Sequence, residues 1–189
     1  MDFFKSILNE TGAVLEDFIS NPENFILLEA AGNKIIESFR NGNKIITCGN
    51  GGSMSDAMHM AEELTGRFRD DRPPLPAIAI SDPGYLTCTA NDYGFEQVFS
   101  RFVEGVGKKG DTLVAISTSG NSPNILGAVM TARRKKLTVI GLTGSDGGKM
   151  AEFCDVTIRV PWSAHSDRIQ EMHIKIIHAL IQYIEENIS

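Results

Sequence analysis

"KIITCGNGGSMSDAM", residues 44–58, decides the fold. It opens with an apolar, β-branched run, passes through a glycine-rich turn and ends where a helical pattern begins. A strand that leads through glycines into a helix is the unit from which α/β folds are built. Four later runs repeat the strand half of that unit: "AIAIS", "TLVAIS", "LTVIGLT" and "VTIRV", separated by segments long enough for helices. They are continuously apolar rather than alternating, as parallel strands covered on both faces are. The expectation is an α/β three-layer sandwich around a five-stranded parallel sheet.

Residues 3–20 and 23–40 read as two amphipathic helices ahead of the first strand, the second opened by Asn21-Pro22 and closed by "NGN". Phe25, Leu28, Ile35, Ile36 and Phe39 form most of the second stripe. These helices have no sheet of their own to cover completely, so part of their surface is expected to meet another subunit. A last helix over residues 166–187 carries Ile169, Met172, Ile174, Ile176, Ile177, Leu180 and Ile181 around much of its circumference, which predicts a central or interfacial place.

The chain has 189 residues, a length that suits one domain: helices over 1–40 and an α/β core over 41–189. With 42% hydrophobic and 22% charged residues it lies far from the composition of disorder. The net charge of −6 argues against nucleic acid as a partner. "MDFFKSILNETG" has no basic leader and its apolar run is too short for a membrane span, so a cytoplasmic protein with no membrane association is expected. Cys48, Cys88 and Cys154 lie too far apart in sequence to signal a disulfide framework or a cysteine zinc site and read as buried or idle thiols.

In an open parallel sheet ligands bind beyond the carboxyl ends of the strands. The loops there are "GNGGSMSD" at 49–56, "SDPG" at 81–84 leading to "NDYGF" at 91–95, "STSGNSPN" at 117–124 and "TGSDGG" at 143–148. The first fails the dinucleotide fingerprint, because Met54 stands where a third glycine belongs, and it lacks the lysine of a P-loop. It is either an anion-facing turn with Ser53 near a helix N-terminus or a plain tight turn. In the third, Ser117, Thr118, Ser119 and Ser122 combine hydroxyls with a helix start, which suits a phosphate monoester; Ser122-Pro123 is equally an N-cap signature.

On a helix over 54–66, Met54, Ala57, Met58, Ala61 and Leu64 make an apolar stripe, and His59 and Glu63 fall on roughly the opposite face, about 40° apart. That face is either solvated or turned to a cleft closed by another subunit. Gln170 and His178 lie on one side of the final helix, where a polar group needs a partner. His178 is either a satisfied core histidine or, with His59 and Glu63, part of an acid/base set or of a zinc-like ligand set.

"GNGGSMSDAMHMAEELTGRF", "LPAIAISD", "NDYGFEQVFSRFVE", "GDTLVAISTSGNS", "LTGSDGGKMA" and "DRIQEMHIKIIHALI" together resemble the sugar isomerase (SIS) domain, a flavodoxin-like fold, and within it the phosphoheptose isomerases. The resemblance covers most of residues 40 to 185. It implies an aldose–ketose isomerase that converts sedoheptulose 7-phosphate to D-glycero-D-manno-heptose 7-phosphate through an enediol, the first step toward ADP-heptose for lipopolysaccharide. It implies that Ser117, Thr118, Ser119 and Ser122 hold the phosphate, and that Asn50, Gly51, Gly52, Asn91 and Asp92, with Ser53 nearby, hold the sugar. Glu63 becomes the base at C1 and C2, and His178 its acid/base partner. In metal-bearing members His59, Glu63, Gln170 and His178 are the zinc ligands, one ion per subunit, in a homotetramer with active sites between subunits. "SDPGYLTCTA" and "WSAHSD" depart from the family pattern, so Asp82 and His165 receive no role.

Three other readings remain. A non-enzymatic SIS relative that binds the DnaA replication initiator looks altered at the positions of Glu63 and His178, which are intact here. A sugar-phosphate-sensing module of a regulator needs a DNA-binding segment that this sequence lacks. An isomerase of another phosphosugar shares all the residues above.

Overall fold

Five strands, β1 (Ile45–Gly49), β2 (Ala77–Ala79), β3 (Thr112–Ser117), β4 (Thr138–Thr143) and β5 (Val156–Arg159), pair in parallel in the order β2-β1-β3-β4-β5. The helices are α1 (Asp2–Ser20), α2 (Pro22–Arg40), α3 (Gly52–Thr65), α4 (Pro83–Tyr93), α5 (Val98–Val106), α6 (Pro123–Arg134) and α7 (Ser166–Asn187). This computed structural model describes residues 2–162 and 164–188; Ser163, inside "WSAHSD", and the two terminal residues lie outside that description.

Alternate strand residues face opposite layers, and both layers are apolar. Ile45, Val114, Ile116, Ile140 and Leu142 pack with α2, α3 and α7, while Ile46, Cys48, Leu113, Ala115 and Val139 pack with α5 and α6. Every residue of β1 and β3 is buried, which is why those runs do not alternate. The edge strands are the exceptions: β5 exposes Arg159, and β2 is the less covered of the two. As an edge strand with one neighbour it leaves Ile78 39% exposed, so the "AIAIS" run is not covered on both faces.

The predicted α/β sandwich and its strand runs agree with this architecture, while details on the helices differ. Phe25 points away from the core and is 50% exposed, because α2 buries its other side through Ala31, Ile35 and Ile36 against α7 and the sheet. On α3 the stripe includes Met60, fully buried, and omits Met58, 48% exposed; the buried arc is centred on Ala57, Met60, Ala61 and Leu64. The stretch from "SDPG" to "NDYGF" is not an open loop but α4, started by Asp82, whose carboxylate accepts the Tyr85 N–H at 2.6 Å, and by Pro83 at its first position.

α1 is pinned to α7 by polar contacts: Arg168 Nε donates to Glu10 at 2.6 Å and Thr11 donates to Glu171 at 2.8 Å. The chain leaves β1 toward β2 on one side and crosses to β3 on the other, so strand order reverses between the carboxyl ends of β1 and β3. The crevice that a doubly wound sheet offers to ligands opens there, between Gly49 and Ser117.

Candidate active site

Three glycines shape the turn after β1, each for its own reason. Gly51 has φ +56, a conformation open to glycine. A Cβ on Gly49 would lie 2.4 Å from the Ser53 carbonyl oxygen, and one on Gly52 2.7 Å from Gln170 Oε1. The N–H groups of Ser53 and Met54 close the turn on the Asn50 and Gly51 carbonyls at 3.1 and 3.0 Å, and Ser53 is buried. Those amides serve the turn itself; Asn50 is left as its polar side chain beside the crevice.

The serine loop rests on the loop after β4. Gly120, at φ +61, lies so close that a Cβ would meet the Gly147 carbonyl oxygen at 2.1 Å. The Gly144 N–H donates to the Thr118 carbonyl at 3.0 Å and the Met150 N–H to the Gly120 carbonyl at 2.9 Å. Ser122 occupies the N-cap position of α6, yet its hydroxyl makes no capping bond; Ser117, buried at the end of β3, donates to it at 3.4 Å. Ser119 is exposed and its Oγ accepts the Asn121 N–H at 3.2 Å. Asn50 and Ser122, with Phe95, Glu96, Pro123 and Asn124, line a cavity of about 150 Å³.

The second cluster lies farther along the seam between α3 and α7. His59 Nε2 stands 2.9 Å from His178 Nε2 and 3.5 Å from Glu63 Oε1, and one ligand atom from each of the three residues fits within 4.8 Å of the others. A tetrahedral zinc ion with bonds of about 2.0–2.1 Å keeps its ligands roughly 3.3 Å apart, so two imidazoles and one carboxylate at these spacings are a fitting donor set. Burial, then the neighbouring His59, hold His178 below the ordinary imidazole range, against the opposite pull of Glu63. A neutral ring keeps a lone pair for a proton or a cation.

Thus the structure brings together His59, Glu63 and His178, and separately Asn50, Ser117 and Ser122. It seats Gln170 over Gly52, eight residues or about 12 Å of helix from His178. Asn91 and Asp92 are exposed near the end of α4, where Asn91 Nδ2 donates to Asp92 Oδ1 at 2.8 Å. Asp82 serves as the α4 cap, and His165 is the exposed residue before α7.

Other site-lining residues carry no sequence signal of their own. Asp56 lies one turn before His59; burial pushes its carboxyl up to about 6, with His59 pulling it back. Phe68 stacks on His178 at 5.5 Å between ring centres. Arg72 pairs with the buried Glu185 at 2.8 Å and donates to the carbonyls of Glu63 and Leu64 at 2.8 and 2.9 Å, which fixes the end of α3. Asn124 holds Asn50. A spacing argument finds ligands that face each other on one helix; these partners meet across elements.

Known proteins share both the sequence and the fold of this chain. The family model described as SIS domain matches residues 8–144. A protein from Vibrio cholerae named phosphoheptose isomerase is 55% identical over 188 residues, covering 100% of this chain and 98% of its own. Solved structures of phosphoheptose isomerases from Neisseria gonorrhoeae and Francisella tularensis superpose with TM-scores of 0.89 and 0.92 at 39% and 35% identity, each covering 98% of both chains. The chain therefore belongs to the SIS domain family, among its phosphoheptose isomerases.

Proposed function

We infer that the protein is an aldose–ketose isomerase converting sedoheptulose 7-phosphate to D-glycero-D-manno-heptose 7-phosphate through an enediol. The observation that carries this is the convergence of Glu63 and His178 from separate helices on His59. A scaffold that only binds a partner has no need to set a carboxylate and a neutral imidazole against each other. The full-length likeness to phosphoheptose isomerases supports the seven-carbon substrate over other phosphosugars.

The Ser122 hydroxyl, free of a capping role, and those of Ser117, Thr118 and Ser119 hold the phosphate. Asn50, Gly51, Gly52, Ser53, Asn91, Asp92 and Gln170 orient the sugar. Glu63 takes the proton from one of C1 and C2 and returns it to the other, and His178 moves the proton between the two oxygens. His59, Glu63, Gln170 and His178 hold a zinc ion, which when bound supplies a Lewis acid for the carbonyl oxygen. Within one chain Gln170 lies at the other end of the α3–α7 seam, so its place in that set belongs to the assembled protein.

That assembly is a homotetramer with active sites between subunits. In support, α1 and α2 expose Phe3, Phe4 and Leu8, 71% each, with Phe25 and Ile26, a density of apolar surface suited to subunit contact. No described helix is long and apolar enough to cross a membrane. A cytoplasmic enzyme at the entry to ADP-heptose for lipopolysaccharide fits both features.

The test is incubation with sedoheptulose 7-phosphate in D₂O, following deuterium at C1 and C2 by NMR. Aldose product and exchange are expected, with kcat lowered about 10²- to 10⁴-fold by Glu63→Gln. Neither product nor exchange, with Glu63→Gln indistinguishable from wild type, would refute the enzyme reading.

A further inference from the structure

A pair of side-chain amides bridges the switch point between β1 and β3. Asn50 Nδ2 donates to Asn124 Oδ1 and Asn124 Nδ2 donates back to Asn50 Oδ1, each at 2.9 Å. Asn124 is the second residue of α6, only 2% exposed, and its Oδ1 also accepts the Ile125 N–H at 2.9 Å. A peptide N–H only donates, so this third bond demands oxygen rather than nitrogen at that end of the Asn124 amide. Its NH₂ is then turned to Asn50, and the direction of the Asn50 amide follows from it. One N–H and one lone pair of Asn50 stay outside the pair, on a residue that lines the cavity beside Ser122.

We propose that Asn124 is a positioning residue that fixes which edge of the Asn50 amide meets the substrate and ties the glycine-rich turn to the serine loop. The identity of the substrate rests on the isomerase reading above; the clasp does not. An unheld asparagine exchanges its N–H and C=O edges by rotating its last bond, whereas a sugar hydroxyl needs one donor and one acceptor in fixed places. Asn124 removes that freedom before substrate arrives, and its own orientation is set by the backbone of α6. The two loops that would grip opposite ends of a phosphosugar thereby move as one body.

Two measurements test this. In ¹⁵N-labelled protein the Asn50 side-chain amide proton donated to Asn124 exchanges with solvent more slowly than those of exposed Asn9, and Asn124→Ala raises it to the exposed rate. Unchanged exchange overturns the clasp without reference to turnover. In a kinetic cycle, Asn50→Ala and Asn124→Ala each lower kcat/KM about 10- to 100-fold, and Asn124→Ala adds less than about 2-fold once Asn50 is already alanine. Full additivity overturns the proposal. Asn124→Asp is near-isosteric and carries the test if the alanine variant fails to fold. Ionised, its carboxylate still accepts from Ile125 but has no proton for Asn50; protonated, it has one. Its activity relative to wild type therefore climbs as pH is lowered, and a flat ratio overturns the proposal. If wild type itself does not turn over the heptulose phosphate, the isomerase reading fails and the exchange experiment alone decides the clasp.

Discussion

Nε2 of His59 on α3 faces Nε2 of His178 on α7 at 2.9 Å, although 119 residues of chain separate them. Two imidazole nitrogens at that distance either share one proton or turn both lone pairs to a cation. Glu63, 3.5 Å from the same His59 nitrogen, favours the second arrangement by adding an anionic ligand. His59→Asn and His178→Asn are each expected to weaken zinc binding at least about 100-fold, beyond the roughly 10- to 100-fold that an outer-shell partner contributes. Competition against a chromophoric chelator measures this, and equal retention in wild type and both variants sinks the metal site.

Ser122 sits where a helix cap belongs but does not cap. Ser122→Ala should cost less than about 0.5 kcal/mol of stability, below the ~1 kcal/mol of a working N-cap, while raising KM about tenfold through loss of a phosphate contact. A drop in melting temperature with unchanged KM would return this serine to a purely structural role.

Gly120 combines a left-handed φ of +61 with a carbonyl oxygen 2.1 Å from where a Cβ would stand. Gly120→Ala cannot be absorbed by a rotamer change, because the obstacle is the Gly147 backbone. A loss of about 1–3 kcal/mol in urea denaturation is expected, together with weaker phosphate binding as the two loops separate. Wild-type stability in this variant would show that the loops yield freely.

Arg72 and Glu185 form a buried pair whose side chains are 9% and 7% exposed. Arg72→Met leaves the Glu185 carboxylate without its cation and takes the guanidinium from the Glu63 and Leu64 carbonyls, the latter keeping the Leu75 N–H, at a cost of about 3–5 kcal/mol. Replacing both partners by apolar residues should recover much of that loss. Denaturant titration of the two single variants and the double variant distinguishes this from simple additivity.

His173 is fully buried on α7, with Nε2 3.2 Å from the Thr143 carbonyl, and burial pushes its pKa from 6.5 down to about 4. Between those values the unfolded chain takes a proton that the fold refuses. Stability is therefore complete above pH 6.5 and falls as pH drops toward 4, by about 3 kcal/mol at ~1.36 kcal/mol per unit. Asp56 acts in the opposite sense, since its raised pKa lets the fold hold a proton that the unfolded chain releases. The difference in pH slope between wild type and His173→Asn isolates the histidine; parallel curves would exclude it.

Strand positions and the final helix were legible because their patterns are local. "TLVAIS" is buried throughout since β3 has neighbours on both edges and helices on both faces, whereas "AIAIS" looks alike but lies on the edge. Nothing within a short apolar run tells how many neighbours it will have. Phe25 and Met58 went astray similarly: periodicity locates an apolar arc, but which part of it is buried depends on what packs there.

For the site, the sequence by itself determined the chemical inventory and two of its groupings: a glycine turn and a serine loop at strand ends, and His59 with Glu63 one turn apart on a helix. It determined the family through ordered motifs along most of the chain. Only the tertiary structure decided that His178 meets His59, that Gln170 lies over Gly52, that the Ser122 hydroxyl does not cap α6, and that Asn124 clasps Asn50. Local patterns record the neighbours a residue has along its own strand or helix. Hydrogen bonds between side chains 74 and 119 residues apart depend on how α3, α6 and α7 dock on the sheet, and that docking is set by packing of the whole core.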